Sequence, residues 1–241
     1  MTQRTSTPAD YGIDAPPVIR NIFLAGAANV FAYIILTVTD ILRFDGFLFI
    51  AFFCFAEAGC MIWSSKVGKL WRRESIIESL GLRGNEIVLD VGCGRGLLLN
   101  AAAKRLDDGG KAMGIDLWQE SDLSGNTAEQ TLKNARLEGV AERVEIHTGD
   151  MRHLPFEAET FDAVVSSMAI HNIPDAEGRK QAIVEIVRVL KPGGKVLLQD
   201  FRSTDEYADV VHSAGMLDVQ RSGLSWLLFP PVRAVTGRKL E

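Results

Sequence analysis

Cysteine is scarce in this chain. Cys54, Cys60 and Cys93 are three thiols among 241 residues. They follow no spacing that a disulfide framework or a metal site uses, and an odd, patternless set suits a reducing compartment. Histidine is nearly as rare, with four residues, and none falls in a cluster with cysteine or paired carboxylates, so no metal is expected. Positive charge is not in excess either. Lys and Arg total 26 against 31 Asp and Glu, a formal net charge of -5, which argues against a nucleic-acid partner. No internal repeat and no low-complexity tract appears, which sets aside solenoids and arrays.

The longest absence is of charge. Residues 22–39, IFLAGAANVFAYIILTVT, carry none, and residues 46–63, GFLFIAFFCFAEAGCMIW, carry Glu57 alone. The short polar DILRFD separates them. Runs of this length are predicted to be two helices able to span a hydrocarbon core of ~30 Å. The alternative is a buried helical hairpin packed on the rest of the chain or on a second copy. Arg20 precedes the first run, Lys66, Lys69, Arg72 and Arg73 follow the second, and Arg43 stands alone in the loop. That asymmetry predicts both chain ends on the cytoplasmic side and the loop outside. The first run starts late, lacks a basic lead-in and continues into a second, unlike a cleaved signal peptide. Glu57 is costly inside a span. Asn29 or Tyr33 can bond it, or it can reach the membrane surface.

Residues 1–20, with Pro8, Pro16 and Pro17, read as an irregular tail, 21–64 as the hydrophobic hairpin and 65–241 as a globular domain. From 64 onward the composition is that of an ordinary soluble protein. A helix is predicted over 65–80. Strands are then expected at 86–91, 111–116, 143–149, 161–167 and 195–200, alternating with helices at 96–106, 127–138, 176–190 and 204–214. LKPGGK (190–195) reads as a helix stop and turn. Two further strands, MLDVQRSG and VRAVTGRK, have no helix between them. The expected fold is α/β: a Rossmann-like, doubly wound, mostly parallel sheet with an antiparallel edge pair at its C-terminal end, preceded by an N-terminal helical hairpin.

The chemistry is concentrated in EIVLDVGCGRGLLLNAAAKRL (86–106). Here a strand ends in Asp90, and Gly92, Gly94 and Gly96 follow at alternate positions. Glycines at that place admit unusual backbone angles and let a ligand approach the main chain. Nicotinamide-binding turns use G-x-G-x-x-G, with a pyrophosphate on the helix N-terminus. Asp90 is poorly placed for a pyrophosphate and well placed for an ammonium group. Asp116 ends the second strand 26 residues on, where a carboxylate can accept ribose hydroxyls. Asp150 follows the third strand, within reach of an exocyclic adenine amine, and Leu117 and Met151 flank these two aspartates as candidates to sandwich the base. Each aspartate taken singly is more often a cap or a turn residue. Three at the ends of three consecutive strands make a site.

The stretches VLDVGCGRG, GIDL, GDMRHLPFEAETFDAVVSSMAIHNI and RVLKPGGKVLLQD resemble the class I S-adenosylmethionine-dependent methyltransferases, and most closely the branch of ubiquinone and menaquinone biosynthesis enzymes. The resemblance lies within 88–200 and extends weakly to 239. It implies S-adenosyl-L-methionine as cofactor, S-adenosyl-L-homocysteine as product and no metal. Asp90 and the turn at Gly92, Cys93, Gly94 and Gly96 would hold the methionine part, Asp116 the ribose, and Asp150 with Met151 the adenine. Ser167 and Met168 would line the wall beside the methyl group. Arg95 stands where such motifs often carry threonine or serine.

On the acceptor side, SSMAIHNIPD (166–175) offers Met168, His171 and Asn172. His171 is the candidate base, against the alternative of a histidine that bonds a loop carbonyl. His147 reads as a packed strand residue, and His153 as a loop residue that can point inward. The expected function is methyl transfer to a small acceptor, lipophilic or membrane-associated because of the hairpin. Two rival readings are a soluble small-molecule enzyme that dimerises through the hairpin and a cofactor-binding module without catalysis. A nicotinamide-dependent oxidoreductase is disfavoured by the glycine spacing.

Overall fold

The computed structural model describes residues 8–107 and 109–241. Seven strands form one sheet in the order β3-β2-β1-β4-β5-β7-β6. The first five, β1 (Ile87–Val91), β2 (Lys111–Asp116), β3 (Val144–Thr148), β4 (Phe161–Ser167) and β5 (Leu190–Asp200), run parallel. β7 (Arg233–Lys239) is antiparallel to β5, and β6 (Met216–Arg221) is antiparallel to β7. The expected antiparallel pair is therefore present, with the last strand of the chain inserted between β5 and β6. The strand order reverses between β1 and β4, and a crevice opens beyond the carboxyl ends there.

Period-two alternation sorts the strand side chains onto two cores. Val88, Ala112, Ala163, Val165 and Leu197 face α3 (Lys69–Leu80), α4 (Leu97–Ala103) and α5 (Ala128–Leu137). Leu89, Ile115, Val164, Val196 and Leu198 face α6 (Ala176–Val189) and α7 (Thr204–Ser213). Helix starts follow local chemistry: the Thr127 hydroxyl accepts from Gln130 N at 3.1 Å, and the Asp175 carboxylate accepts from Gly178 N at 2.7 Å. β5 begins earlier than expected. Leu190 already pairs with Phe161, and the register then shifts before Ala163 meets Lys195, so the LKPGGK segment is a bulged strand start rather than a free turn.

α1 (Pro16–Val38) and α2 (Gly46–Trp63) form the hairpin, ~34 and ~27 Å long at 1.5 Å per residue. They cross at small residues. A Cβ on Gly26 would meet the Phe55 ring at 2.9 Å, and Ala51 and Ala58 are buried. The outer faces are bare. Sixteen large apolar side chains from Phe23 to Trp63 are exposed. At ~1.5–3 kcal/mol for burying each, leaving them in water forgoes tens of kcal/mol. The hairpin is therefore not packed on the domain, which removes that part of the alternative. Both helices are long and apolar enough to cross a membrane by length and composition. Asn29 Nδ2 donates to Ala25 O of its own helix at 2.9 Å, and Glu57 is exposed, so of the two options for Glu57 the bond to Asn29 is not made. Glu57 lies six residues before the end of α2, ~9 Å along the axis, within snorkelling distance of the helix base.

The segment read as an irregular tail differs most from expectation. α1 already starts at Pro16, and residues 10–15 are strapped across the domain. Ile13 N donates to the Ser124 hydroxyl at 2.8 Å, and Asp14 pairs with Leu123 as an antiparallel bridge. The hydroxyl of Tyr11, a residue only 5% exposed, donates to Glu138 at 2.8 Å. The basic flank of α2 is engaged as well: Lys66 meets Asp10, buried Lys69 meets Asp14 and Tyr11 O, Arg72 meets Gln199, and Arg73 meets Glu138.

Candidate active site

The turn after β1 is built on backbone bonds. Gly92 N and Cys93 N both donate to Ile115 O, at 2.8 and 3.2 Å, which pins the turn to the end of β2. Gly92 has φ 72°, and a Cβ there would collide with Ala169. The chain can therefore pass beneath the β4 loop only with glycine at this position. Gly94 N donates to Asp116 Oδ2 at 2.8 Å, and the Thr131 hydroxyl donates to Gly94 O at 2.7 Å. Gly96, at φ 83°, precedes α4.

Asp90 is 3% exposed, and its Oδ2 accepts from Leu99 N at 2.9 Å. Part of its role is thus to cap α4. Burial, with Asp116 nearby, pushes its carboxyl up to about 7. A carboxylate held at that cost is stabilised by a cation placed beside it. Burial likewise raises the Cys93 thiol, so Cys93 is not a nucleophile here.

The Asp116 carboxylate accepts from Gly94 N, from Trp118 N at 2.7 Å and from Asn126 Nδ2 at 3.2 Å. Two oxygens offer about four acceptor positions, so capacity for a ribose hydroxyl remains. Asp150 is more committed. Arg152 grips it through Nε and Nη2 and holds the carboxyl below the usual carboxylate range, chiefly through that bond. An adenine amine at Asp150 has to share the carboxylate with this guanidinium. Leu117 is half-exposed, and Met151 packs toward Gly92.

At the end of β4, the Ser167 hydroxyl accepts from Gln199 Nε2 at 3.0 Å, and Gln199 Oε1 accepts from Arg72 Nε at 2.8 Å. Met168 takes φ 56° with its N–H on Gln199 O, a left-handed conformation rarely adopted by such a side chain and worth ~1–3 kcal/mol of strain. His171 Nδ1 lies 2.9 Å from Oδ1 of Asp200, whose side chain is 1% exposed, off the line of a straight hydrogen bond. Asp200 Oδ2 accepts from the Tyr207 hydroxyl at 3.1 Å. His147 stacks edge-on to Phe156 within β3 and its surroundings, and His153 lies exposed beside Gln181.

One cavity of about 660 Å³ joins these groups. Asp90, the 92–94 turn, Asp116, Leu117, Asp150, Met151, Ser167, Met168, His171 and Asn172 all line it. Gly96 stands behind the turn and is not among its walls. Among the described residues, no group of three or more His, Cys, Asp or Glu side chains is placed to hold a metal ion.

Residues 89–198 match a family model described as a methyltransferase domain. Over 136 residues the chain is 33% identical to a demethylmenaquinone methyltransferase of Lactiplantibacillus plantarum, covering 56% of this chain and 53% of that one. Over 150 residues it is 31% identical to the chloroplastic 2-phytyl-1,4-beta-naphthoquinone methyltransferase of Arabidopsis thaliana, covering 62% and 54%. Residues 89–198 thus resemble a methyltransferase domain.

The chain spans about half the length of these curated relatives. Solved structures agree on the fold. A SAM-dependent methyltransferase from Aquifex aeolicus superposes with a TM-score of 0.56 at 19% identity, over 71% of this chain and 92% of that one. The [4+2]-cyclase SpnF superposes at 0.58 and 19% identity, over 70% and 81%, so this fold does not by itself fix the reaction.

Within the matched segment, the departure at Arg95 has a structural reason. Its buried guanidinium donates to Asp10 at 3.0 Å and to Ser124 O at 2.9 Å, fastening the strap beside the glycine turn. Sequence reasoning missed Asn126. It is 4% exposed, lines the cavity, donates to Asp116 and leaves its Oδ1 without a partner. It also missed Arg152 and Asp200. The D ending KVLLQD was a usable signal, since Asp200, like Asp116, is a carboxylate at the carboxyl end of a parallel strand.

Proposed function

We propose that this chain is a membrane-anchored methyltransferase that uses S-adenosyl-L-methionine and acts on a lipophilic, quinone-type acceptor. The observation that carries it is one cavity shared by two parts of the chain. Its walls run from the glycine turn to Val18 of α1 and Met61 of α2, in a hairpin whose outer faces are bare and apolar. The quinone methyltransferase relatives support the acceptor class.

The residues fit the cofactor. Gly92 lets the turn lie close against Ala169 of the β4 loop at the cavity wall, and among the described residues no cationic side chain pairs with buried Asp90. When bound, the cofactor supplies an electrophilic methyl group on a sulfonium. Asp90 holds the ammonium end, Asp116 and the free Asn126 Oδ1 take the ribose hydroxyls, and Leu117, Asp150 and Met151 frame the adenine. Ser167, Met168 and Asn172 form the wall that fixes the angle of approach. His171, positioned by Asp200, takes the acceptor proton where the acceptor is a hydroxyl or an acidic carbon. Both chain ends are on the cytoplasmic side, and the 39–45 loop is across the membrane. The domain division at 21–64 and 65–241 belongs to the same reading, with residues 10–15 returned to the domain.

Calorimetric titration with S-adenosylhomocysteine and NADH tests the cofactor. Binding of the former alone is expected, and Asp116→Ala should weaken it at least about tenfold by removing charge-assisted bonds. Carbonate-washed membranes should retain the full chain. Recovery in the soluble fraction as a dimer would make the hairpin a dimer element instead.

A further inference from the structure

Between β6 and β7 the chain runs SGLSWLLFPPV, residues 222–232, without a charged side chain. Such a connection is expected to be polar, yet Leu224 is 49% and Trp226 69% exposed. The same loop is fixed to the base of the hairpin. Phe229 N donates to the Ser64 hydroxyl at 2.9 Å, and the Leu227 carbonyl occupies the space a Cβ on Gly68 would take. Gly68 closes a π-helical turn, Ser64–Gly68, that carries α2 into α3. Trp63 and Trp71 flank that turn, both exposed, with ring centroids 6.0 Å apart. Leu228, Phe229 and Pro230 line the large cavity from this side, opposite Ala15 and Val18.

We infer that the 224–230 loop is a second membrane contact, resting its apolar side chains in the headgroup–acyl boundary beside the hairpin. The inference rests on the hairpin being in a bilayer. The occupant of the surface is lipid, because the loop is fixed at Ser64 to the end of the bare apolar α2, and because Trp63 and Trp71, paired at that turn, and Trp226 in the loop are all exposed. Amphipathic rings favour the headgroup–acyl boundary. Arg221 and Arg233, at the two ends of the run, keep charge at its margins. The cavity mouth beside Val18, Met61 and Leu228 then opens to the bilayer rather than to water. A tailed acceptor can keep its chain in lipid while its head reaches Met168 and His171.

The test uses the full chain in nanodiscs of phosphatidylcholine and phosphatidylglycerol, with plain or brominated acyl chains. A protein with W63F, W71F and W118F reports on Trp226 alone; one with W71F, W118F and W226F reports on Trp63. Trp226 is expected to lose about half of its emission in brominated lipid, as an interfacial tryptophan does. Trp226 unquenched with Trp63 quenched overturns the loop contact and leaves the anchor standing. Both unquenched overturns the anchor and the loop contact together. If the triple variants fail to fold, the unaltered chain labelled with fluorotryptophan gives the same reading. The resonance lost in W226F should broaden when spin-labelled lipid is added, and an unbroadened resonance overturns the loop contact.

Discussion

Asp90 ties fold, pH and ligand together. Its carboxyl is pushed up to about 7 in the folded chain from an ordinary 3.8. The folded state therefore binds more protons than the unfolded state between about pH 4 and 7, and stability falls as pH rises through that window before levelling off. Asp90→Asn keeps an acceptor for Leu99 N and removes the charge. It should raise the melting temperature of the ligand-free protein at pH 8, with the gain shrinking toward pH 4; thermal scans across pH read this directly. The same change should weaken S-adenosylhomocysteine at least about tenfold. In the parent, affinity should rise with pH up to about 7, because an ammonium ligand requires the ionised carboxylate, and the variant should lose that slope. His171 gives a second prediction. His171→Ala should lower kcat about 10²–10⁴-fold with cofactor affinity little changed, if the acceptor must lose a proton. Asp200→Asn should lower kcat through His171 and alter its pH profile, without adding to the loss in the double variant.

At the scale of elements, the strap over 10–15 is the feature to disturb. Arg95→Thr restores the residue that such glycine motifs often carry, yet here it removes two charge-assisted bonds. A loss of about 1–3 kcal/mol is expected, with faster proteolysis near Asp10. Urea unfolding and limited proteolysis check it, and an unchanged midpoint would show that the strap is held by Tyr11 and Lys69 instead. The same element shows where the sequence stops being readable. β1 to β5 were legible because alternation with helices repeats, and the 90–96 turn because each glycine answers a steric demand. The strap has no period. Its bonds join residues 51 to 127 positions apart, such as Asp14 to Ser65, Asp10 to Arg95 and Tyr11 to Glu138, and nothing local announces them. Asn126 and Arg152 were hidden for a related reason: single polar residues in loops acquire meaning only beside the carboxylate they touch. The insertion of β7 between β5 and β6 was equally out of reach, since two adjacent strands read most simply as a plain hairpin.

For the whole molecule, the strap decides how the hairpin can be removed. A chain starting at Ser64 loses Tyr11 and Asp10 and strips buried Lys69 of both its partners, so it should be unstable. Asp14 N and the Ser65 hydroxyl are only 3.0 Å apart, so the hairpin leaves and returns at one place. Excising residues 16–63 and joining 15 to 64 by a short glycine–serine linker should give a soluble protein that still binds S-adenosylhomocysteine, measured by calorimetry. That protein should discriminate little between short- and long-tailed acceptors, whereas the full chain in lipid should favour long tails. The junction also has a mechanical consequence. From Gly46 to Leu80 the helix is continuous, with the π-helical turn inside it and no linker. Arg72 on that rod grips Gln199, which holds Ser167 at the edge of the cavity. Under the proposed anchoring, such a rod is a lever with its fulcrum at the membrane surface. Acyl chains long enough to tilt α2 should swing α3 and shift the cavity wall, so turnover should vary with bilayer thickness even at constant acceptor concentration.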